Sequence, residues 1–246
     1  MTTLDSLQDG YRAWVFGASG GIGSVFIRLL SDDPRCAAVH AGARTAPPSA
    51  GKVAGFAFTL EDEATIAAAV ETAQRAGAPD LVLVTTGLLH APNMQPEKSM
   101  KALDAAILAR SFAINAIGPA LIAKQVAPLL PRDRKSVFAA LSARVSSISE
   151  NRSGGWHAYR ASKAALNMVI RNFAIELAVR NKHAVCVTLH PGTVDTAMSA
   201  PFKAGVAPEK LFSPDQSVAS LLNVIEGLTP TQSGELVAWD GQTIPF

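Results

Sequence analysis

The stretch RAWVFGASGGIGSVFIRLL, residues 12–30, joins an apolar run to a helical pattern through a turn that contains four glycines. Gly17 permits a tight turn, and Gly23 lets the following helix pack close to the strand. Gly21 would let the backbone approach a pyrophosphate, which the free N–H groups of a helix N-terminus also favour. This order of strand, glycine turn and helix predicts a nucleotide site, although a tight turn of small residues alone would have the same pattern.

The rest of the chain repeats the alternation of short apolar runs and helical patterns. Strands without polar alternation, separated by helices, predict a parallel sheet that is buried on both faces. Right-handed crossovers would then give one α/β domain over residues 1–246, a Rossmann-type, doubly wound, three-layer sandwich. The predicted strands are 12–17, 36–42, 53–58, 80–85, 135–142, 184–190 and 235–239, and the predicted helices are 21–31, 62–76, 99–130, 156–181 and 214–228.

Composition excludes several classes of partner. The 246 residues are 48% hydrophobic and 17% charged, with a net charge of +2, which gives no basic patch suited to nucleic acid or an anionic membrane. Cys36 and Cys186 lie in apolar runs and are interpreted as core thiols. The N-terminal segment lacks the features of a signal peptide, and no apolar run reaches about 18 residues. We therefore expect a cytoplasmic protein without a metal site.

A second motif, YRASK, places Tyr159 and Lys163 four residues apart at the head of a helical pattern. Residues at this spacing share one face of a helix. A phenol has a pKa of about 10, and a nearby ammonium would lower it toward the range useful for proton exchange with an alcohol. A tyrosine packed beneath a surface helix, with a solvated lysine, would show the same spacing.

Together these motifs resemble the short-chain dehydrogenase/reductase family, and the match runs along the whole chain. GASGGIG (17–23) resembles its cofactor loop, FAINAIGPALIA (112–123) its Asn-bearing helix, and HPGTVDT (190–196) its loop after the sixth strand. RVSSISENRSGGWHAYRASKAALNM (144–168) is similar to the branch that contains the C-factor signalling protein and sniffer-type carbonyl reductases.

The resemblance implies the roles of four catalytic residues. Tyr159 would be the acid or base, and Lys163 would tune it and hold the nicotinamide ribose. Asn115 would mark a helix distortion that holds a water of the proton relay. Ser142 would orient the substrate carbonyl, but Ala143 stands where the family usually has a second serine. Adjacent strand residues face opposite ways, so Ser146 or Ser147 remain alternatives for Ser142.

The cofactor implied is NADPH, with NAD less expected. No acid appears between residues 34 and 60, where a ribose-binding carboxylate would favour NAD, and Arg44 suits a 2′-phosphate. Thr59 replaces the acid that meets the adenine in the family, so the main chain near Leu60 would supply that contact. The other expected cofactor residues are Gly17, Ser19, Gly20, Gly21, Ile22, Thr86, Gly87, Tyr159, Lys163, Pro191, Gly192, Thr193, Val194 and Thr196.

A segment near 197–212, rich in small and apolar residues, is predicted to be a substrate lid. Leu88, Trp156 and His157 are candidates for an apolar pocket beneath it, and His90 and His183 are interpreted as structural. The expected activity is NADPH-dependent reduction of a ketone or aldehyde. The alternatives are a dinucleotide-binding signalling or sensor protein with little turnover and an enzyme of NAD-linked alcohol oxidation, which Arg44 disfavours.

The two longest predicted helices, 99–130 and 156–181, have apolar faces that exceed what one side of a sheet covers. In the family the corresponding helices commonly pair across a two-fold axis, so a homodimer or homotetramer is expected. The predicted contact residues are Ala113, Ile117, Leu121, Ala164, Ala165, Met168 and Phe173.

Overall fold

An eight-stranded sheet with helices on both faces forms the centre of the computed structural model, which describes residues 3–246. The strands are β1 (Tyr11–Phe16), β2 (Cys36–Ala43), β3 (Val53–Ala57), β4 (Leu81–Val84), β5 (Ser136–Leu141), β6 (Ala184–His190), β7 (Thr193–Val194), β8 (Leu211–Phe212), β9 (Leu236–Ala238) and β10 (Thr243–Ile244). The helices are α1 (Gly21–Asp32), α2 (Glu63–Gln74), α3 (Ala105–Phe112), α4 (Gly118–Val126), α5 (His157–Arg180) and α6 (Pro214–Gly227).

The strand order β10-β9-β6-β5-β4-β1-β2-β3 confirms the doubly wound sheet. Every neighbouring pair in it is parallel except β9 and β10. The chain runs outward from β1 in both directions, so the order reverses between β1 and β4. In open α/β sheets, ligands bind at the carboxyl ends of the strands beside such a reversal.

Consecutive residues of the central strands supply two separate cores. Trp14 and Phe16 belong to the cluster covered by α2, α4 and α5, whereas Ala13 and Val15 belong to the cluster covered by α1 and α6. Side chains alternate between the faces of a strand, so a strand buried on both faces must be apolar at every position. This is why β1 has no polar alternation in its sequence. Cys36 and Cys186 are free and buried, as expected.

The predicted helix 99–130 is wrong as a single element. Residues Met100–Ala102 form an isolated 3₁₀ turn, and α3 starts only at Ala105 because the Asp104 carboxylate accepts hydrogen bonds from Ala106 N and Ile107 N at 2.9 and 3.0 Å. A π-helical turn, Ala113–Ile117, then separates α3 from α4. The helix distortion that the resemblance implied around Asn115 is therefore present.

Three short strands were not predicted. β10 is antiparallel to β9 at the edge of the main sheet, and β7 pairs with β8 in a separate two-stranded sheet. Each has only two residues, too few for a recognisable apolar run.

The outward face of the long helices also differs from the predicted contact residues. Leu121, Ala165 and Phe173 pack against the core, so they do not belong to an exposed stripe. Along the helical stretches 105–129 and 157–180, the exposed large apolar side chains are Ile117 (53% exposed), Met168 (62%), Ile175 (58%) and Val179 (79%).

By length and composition alone, the helical stretch Ala105–Leu129 would also suit a membrane span, with a mean hydropathy of 1.6. The stretch is not an uninterrupted apolar run, because Arg110 and Lys124 lie within it. This stretch supplies Ile122 and Val126 to the core beneath the sheet, and core helices pass the same test.

Candidate active site

The glycine turn is held against the end of β4 by a threonine. Thr85 Oγ1 donates to Phe16 O at 3.0 Å and to Gly17 O at 3.2 Å. Gly17 has a φ of 105°, and a Cβ on Gly23 would lie 2.2 Å from Gly17 O. Both positions therefore require glycine. Gly21 has an additional reason to lack a side chain, because its Cβ would lie 2.8 Å from the Thr196 methyl group.

A cavity of about 290 Å³ runs from this turn across the carboxyl ends of β1, β2 and β4. We call it the cofactor groove. Seven of the predicted cofactor residues line it: Gly17, Ser19, Gly20, Arg44, Leu60, Thr86 and Gly87. α1 starts at the same place with no side-chain cap, so its first N–H groups are available to an anion.

Two side chains of the groove lack protein partners. Arg44 is exposed and forms no ion pair with any residue of the described chain. Thr86 Oγ1 is buried without a hydrogen-bond partner among residues 3–246. Leu60 is positioned by packing on α4, where a Cβ on Gly118 would lie 2.6 Å from its side chain.

A larger cavity of about 410 Å³ lies on the other side of Met198, which lines both spaces. We call it the substrate cavity. Ser142 and Tyr159 line it together with the predicted cofactor residues Ile22, Pro191, Gly192, Thr193, Val194 and Thr196. The cofactor residues predicted from HPGTVDT are thus gathered around the same space as the candidate acid.

The structure separates Ser142 from Ser146 and Ser147, the alternative candidates for orienting the substrate carbonyl. β5 ends at Leu141, so strand alternation no longer dictates where the next side chain points. Ser146 Oγ is engaged by Ala143 O at 2.6 Å and Asn167 Nδ2 at 2.8 Å, and Ser147 Oγ donates to Pro245 O. Among the three serines, only Ser142 lines the substrate cavity with Tyr159.

Lys163 and Tyr159 share the face of α5 that approaches the sheet. Lys163 is 2% exposed, and its Nζ donates to Leu141 O at 2.7 Å. Burial lowers the pKa of Lys163 to about 7 and raises the pKa of Tyr159 to about 12. The expectation that the ammonium lowers the tyrosine pKa is therefore wrong for this structure, because desolvation of the phenol dominates.

Asn115 ties the loop after β4 to the helix that carries Tyr159. Its Oδ1 accepts from Leu88 N at 2.7 Å, and its Nδ2 donates to Leu88 O at 2.8 Å and to Ser162 Oγ at 3.0 Å. Ser162 Oγ in turn donates to Tyr159 O at 3.0 Å. A Cβ on Gly87 would lie 3.6 Å from Lys163 Nζ and 3.7 Å from Asn115 Oδ1, so these residues are neighbours.

The predicted lid covers one side of the substrate cavity. Met198, Ser199, Phe202 and Val206 line it, and the pairing of β7 with β8 joins the two ends of the segment. His90 contacts this segment. Its Nε2 lies 3.1 Å from Met198 O, and its ring packs edge-on against Phe202 at 5.7 Å.

Two of the three candidates for the apolar pocket do not line the substrate cavity. Leu88 lines the cofactor groove, and its neighbour Leu89 lines the substrate cavity instead. His157 lines neither of the two cavities, whereas Trp156 is confirmed.

Residues 12–207 match the family described as short chain dehydrogenase. The chain belongs to the short-chain dehydrogenase family.

Several relatives show how far the similarity extends. The C-signal protein of Myxococcus xanthus is 38% identical over 144 residues, which cover 58% of this chain and 81% of the relative. The 1-hydroxy-2-glutathionyl-2-methyl-3-butene dehydrogenase of Rhodococcus sp. (strain AD45) is 32% identical over 231 residues, or 92% of this chain and 96% of the relative. An NADPH-bound carbonyl reductase from chicken fatty liver has the same fold, with a TM-score of 0.84 at 20% identity, over 98% of this chain and 96% of that one. The expected resemblance to the family and to its C-factor and carbonyl reductase branch is confirmed.

The residues present fit the dinucleotide of a short-chain dehydrogenase. The orphaned Thr86 hydroxyl and the unpaired Arg44 lie in the groove, and glycines keep the floor of the groove free of side chains. Arg44 and the N-terminus of α1 would hold phosphates, and the loop Pro191–Thr196 would hold the nicotinamide end.

Sequence reasoning missed several residues of this short-chain dehydrogenase site. Thr85 was not among the predicted site residues, yet its hydroxyl holds the glycine turn through two hydrogen bonds. Met198 and Phe202 lie on the lid, but nothing in their local sequence indicates which cavity they face. His190 begins the HPG motif and lines the substrate cavity, where burial and nearby Arg144 lower its pKa to about 4.

Proposed function

We propose that this short-chain dehydrogenase is an NADPH-dependent carbonyl reductase that converts a ketone or aldehyde to the alcohol. One observation carries the proposal. Ser142 and Tyr159 line the substrate cavity, and this cavity adjoins the cofactor groove, with Arg44 and the glycine turn, at Met198. A reactive carbonyl and a dinucleotide would therefore meet beside the two hydroxyl groups.

Tyr159 is the proton donor. Because burial raises its pKa to about 12, the phenol is protonated at neutral pH and can give its proton to the alkoxide that forms as the carbonyl is reduced. The same pKa disfavours the phenolate needed to abstract a proton from an alcohol. At neutral pH the phenol is therefore in the protonated form that reduction of a carbonyl requires.

Three residues prepare the site for this step. The Ser142 hydroxyl donates a hydrogen bond to the carbonyl oxygen and stabilises its developing charge. Lys163, buried beside Gly87, holds the ribose end of the cofactor and exchanges protons near neutral pH because its pKa is about 7. Asn115 fixes the loop after β4 against α5, so both sides of the cleft keep their spacing. The reduced nicotinamide supplies the hydride when it is bound.

Arg44 supports NADPH as the preferred dinucleotide. It follows β2 directly, where a carboxylate would instead accept hydrogen bonds from ribose hydroxyls. Its guanidinium is exposed in the groove and unpaired within residues 3–246, so binding a 2′-phosphate would break no existing ion pair.

The test is a steady-state screen of aldehydes and ketones, with NADPH and NADH compared for each compound. We expect NADPH oxidation with several carbonyl compounds and a clear preference over NADH. A second arm offers a glutathione-conjugated alcohol, the compound class in the name of the Rhodococcus relative, with NADP⁺ and NAD⁺. Tight NADPH binding without turnover in either arm would overturn the reductase and favour a signalling role like that named for the Myxococcus relative.

We also propose that the protein is a cytoplasmic homodimer or homotetramer. Ile117 on the π turn and Met168, Ile175 and Val179 on α5 expose apolar surface, and the three α5 residues share one face at spacings of seven and four. A self-complementary stripe of this kind suffices for a two-fold interface.

A further inference from the structure

We propose that Arg144 binds an anionic group of the substrate, so that the substrates are carbonyl compounds with an apolar body and a carboxylate. This inference rests on the proposed function, because it assigns the substrate class of the same cavity.

The charge of the substrate cavity favours an anionic ligand. Among the residues that line it, Arg144 is the only one with a permanently charged side chain. His190 is neutral at neutral pH because its pKa is about 4. Most of the remaining wall is apolar, including Leu89, Val145 and Phe202. The cavity therefore presents a single permanent positive charge beside a mostly apolar wall.

The guanidinium of Arg144 is available to a ligand. Its nearest carboxylate is Glu150, whose Oε2 lies 3.7 Å from Arg144 Nε, beyond hydrogen-bond distance. The Arg144 side chain is 49% exposed, and ion pairs in such surroundings contribute little. Its two terminal nitrogens have no hydrogen-bond partner within residues 3–246. This leaves the planar fork that binds a carboxylate through two parallel hydrogen bonds.

The backbone places Arg144 close to the reacting carbonyl. It begins a 3₁₀ turn two residues after Ser142, so the two Cα atoms lie at most about 7 Å apart. The turn is attached to α5, because Arg160 Nη1 donates to Val145 O at 3.0 Å. With the carbonyl oxygen at Ser142, an anion at Arg144 would lie only a few bonds from the carbonyl carbon. Trp156, Phe202 and Val206 would contact the apolar remainder.

The test compares 4-carboxybenzaldehyde with its methyl ester, which has the same aldehyde without the charge. For the wild type we expect a KM at least about tenfold lower for the acid, since a charge-assisted hydrogen bond is worth about 1.5–3 kcal/mol. Arg144→Gln should remove this difference by raising the KM of the acid, with kcat and the KM of the ester within threefold of wild type. Arg152→Gln is the matched control, because Arg152 donates only to backbone carbonyls and lines neither cavity.

A binding arm separates this inference from the proposed function. Calorimetry with benzoate and benzamide on the NADP⁺-loaded protein should show binding of benzoate that Arg144→Gln abolishes, with benzamide unaffected. Equal catalytic efficiency for acid and ester would overturn the anion site while leaving the reductase intact. Arg144-dependent benzoate binding without reduction of either aldehyde would support the anion site and contradict the reductase. Equal losses for acid and ester in Arg144→Gln would overturn the inference, because they would indicate that Arg144 only shapes the cavity.

A separate observation concerns the start of α5. Its N-cap, Trp156, adopts a left-handed conformation with a φ of 51° and provides no side-chain cap. Glu97, from the loop between β4 and α3, takes that place: its Oε2 accepts from Ala158 N at 3.1 Å, and its backbone O accepts from Trp156 N. We infer that Glu97 is a positioning residue for Tyr159, which directly follows Ala158.

Burial makes this cap costly to disturb. Glu97 is 4% exposed, and its Oε1 is buried without a partner in the described chain. We expect Glu97→Ala to lower kcat at least tenfold while leaving the dissociation constant of NADPH within threefold. Glu97→Gln, whose amide oxygen can still accept from Ala158 N, should restore most of the rate. A lower melting temperature with an unchanged kcat, or failure of Gln to rescue, would show that Glu97 only stabilises the fold.

Discussion

The cofactor groove and the substrate cavity meet at Met198, yet they are built in different ways. The groove is shaped mainly by backbone: glycines at 17, 20 and 87 line it, and the start of α1 closes one end. The substrate cavity is shaped by side chains from several distant segments, including Leu89, Ser142, Trp156 and Phe202. Backbone geometry is encoded by short local motifs, whereas a side-chain wall depends on the tertiary fold. The ligand of the groove can therefore be predicted from the sequence, whereas the ligand of the cavity cannot.

The largest expected effect separates the two regions at the proton donor. Tyr159→Phe keeps the ring in the substrate cavity and removes only the hydroxyl, so kcat should fall by about 10²–10⁴. The dissociation constant of NADPH, measured by fluorescence, should stay within threefold, because the groove is untouched. Turnover within threefold of wild type would show that another group donates the proton.

A somewhat smaller effect is expected at the end of β5. Ser142→Ala removes the donor to the carbonyl oxygen and should lower kcat by roughly 10²–10³, as for other oxyanion donors. Ser147→Ala is the matched control, because its hydroxyl donates to Pro245 O and Ser147 lines neither cavity, whereas Ser146 Oγ lies 3.4 Å from Ser142 Oγ. Steady-state kinetics on both variants measures the two losses. A larger loss in Ser147→Ala would transfer the role to that residue.

The features that could be predicted from the sequence are those encoded locally, and the features that could not are those that depend on the tertiary fold. The positions of the predicted strands were correct because most residues of a doubly buried strand are apolar, as in residues 13–16 of β1. The break at Asn115 followed from the resemblance, but the start of α3 did not, because Asp104 caps α3 through hydrogen bonds to Ala106 N and Ile107 N that apolar periodicity does not report. The pKa of Tyr159 could not be predicted from the spacing of Tyr159 and Lys163, since desolvation depends on what the fold packs around the phenol. Leu88 and Leu89 face different cavities for the same reason.

Arg44 tests the groove without altering the cavity. Arg44→Asp places a negative charge beside the expected 2′-phosphate, so the KM for NADPH should rise by about 10–100-fold, while NADH is spared. Lys182→Asp is the control of equal charge change, because Lys182 is exposed and precedes β6, at the amino ends of the parallel strands, whereas Arg44 follows the carboxyl end of β2. The measurement is the ratio of kcat/KM for the two cofactors. An unchanged ratio in Arg44→Asp would mean that the cofactor preference arises elsewhere.

Lys163 lies at the border of the two regions, and its burial should make the free energy of unfolding depend on pH. Burial lowers its pKa from 10.5 to about 7, so the unfolded chain binds more protons between these values. Stability must then rise with pH across this window, and the cost of burying the ammonium is greatest below pH 7. Urea unfolding from pH 6.5 to 9.5 should show wild type gaining stability relative to Lys163→Met as pH rises. A constant difference between the two proteins would contradict the lowered pKa.

The smallest effect on catalysis is expected on the face away from both regions. If Ile117, Met168, Ile175 and Val179 form a two-fold contact, Met168→Lys brings two charges together in an apolar interface. The dissociation constant of the dimer should rise at least tenfold by sedimentation at micromolar concentration, since a central interface residue contributes more than about 1.4 kcal/mol. Because Met168 lines neither cavity, kcat should stay within twofold of wild type.

The control for assembly uses a charge that already borders this face. Arg171 pairs with Glu235 at 3.0 Å and lies three residues after Met168 on α5, so Arg171→Lys keeps the charge there and should leave the dimer intact. A wild-type species of only 25.7 kDa would overturn the proposed dimer at once. A dimer that tolerates Met168→Lys would place the contact on another surface. Loss of kcat in proportion to dissociation would show that the pairing of α5 helices also holds Tyr159 and Lys163 in place, which links the interface to the cavity.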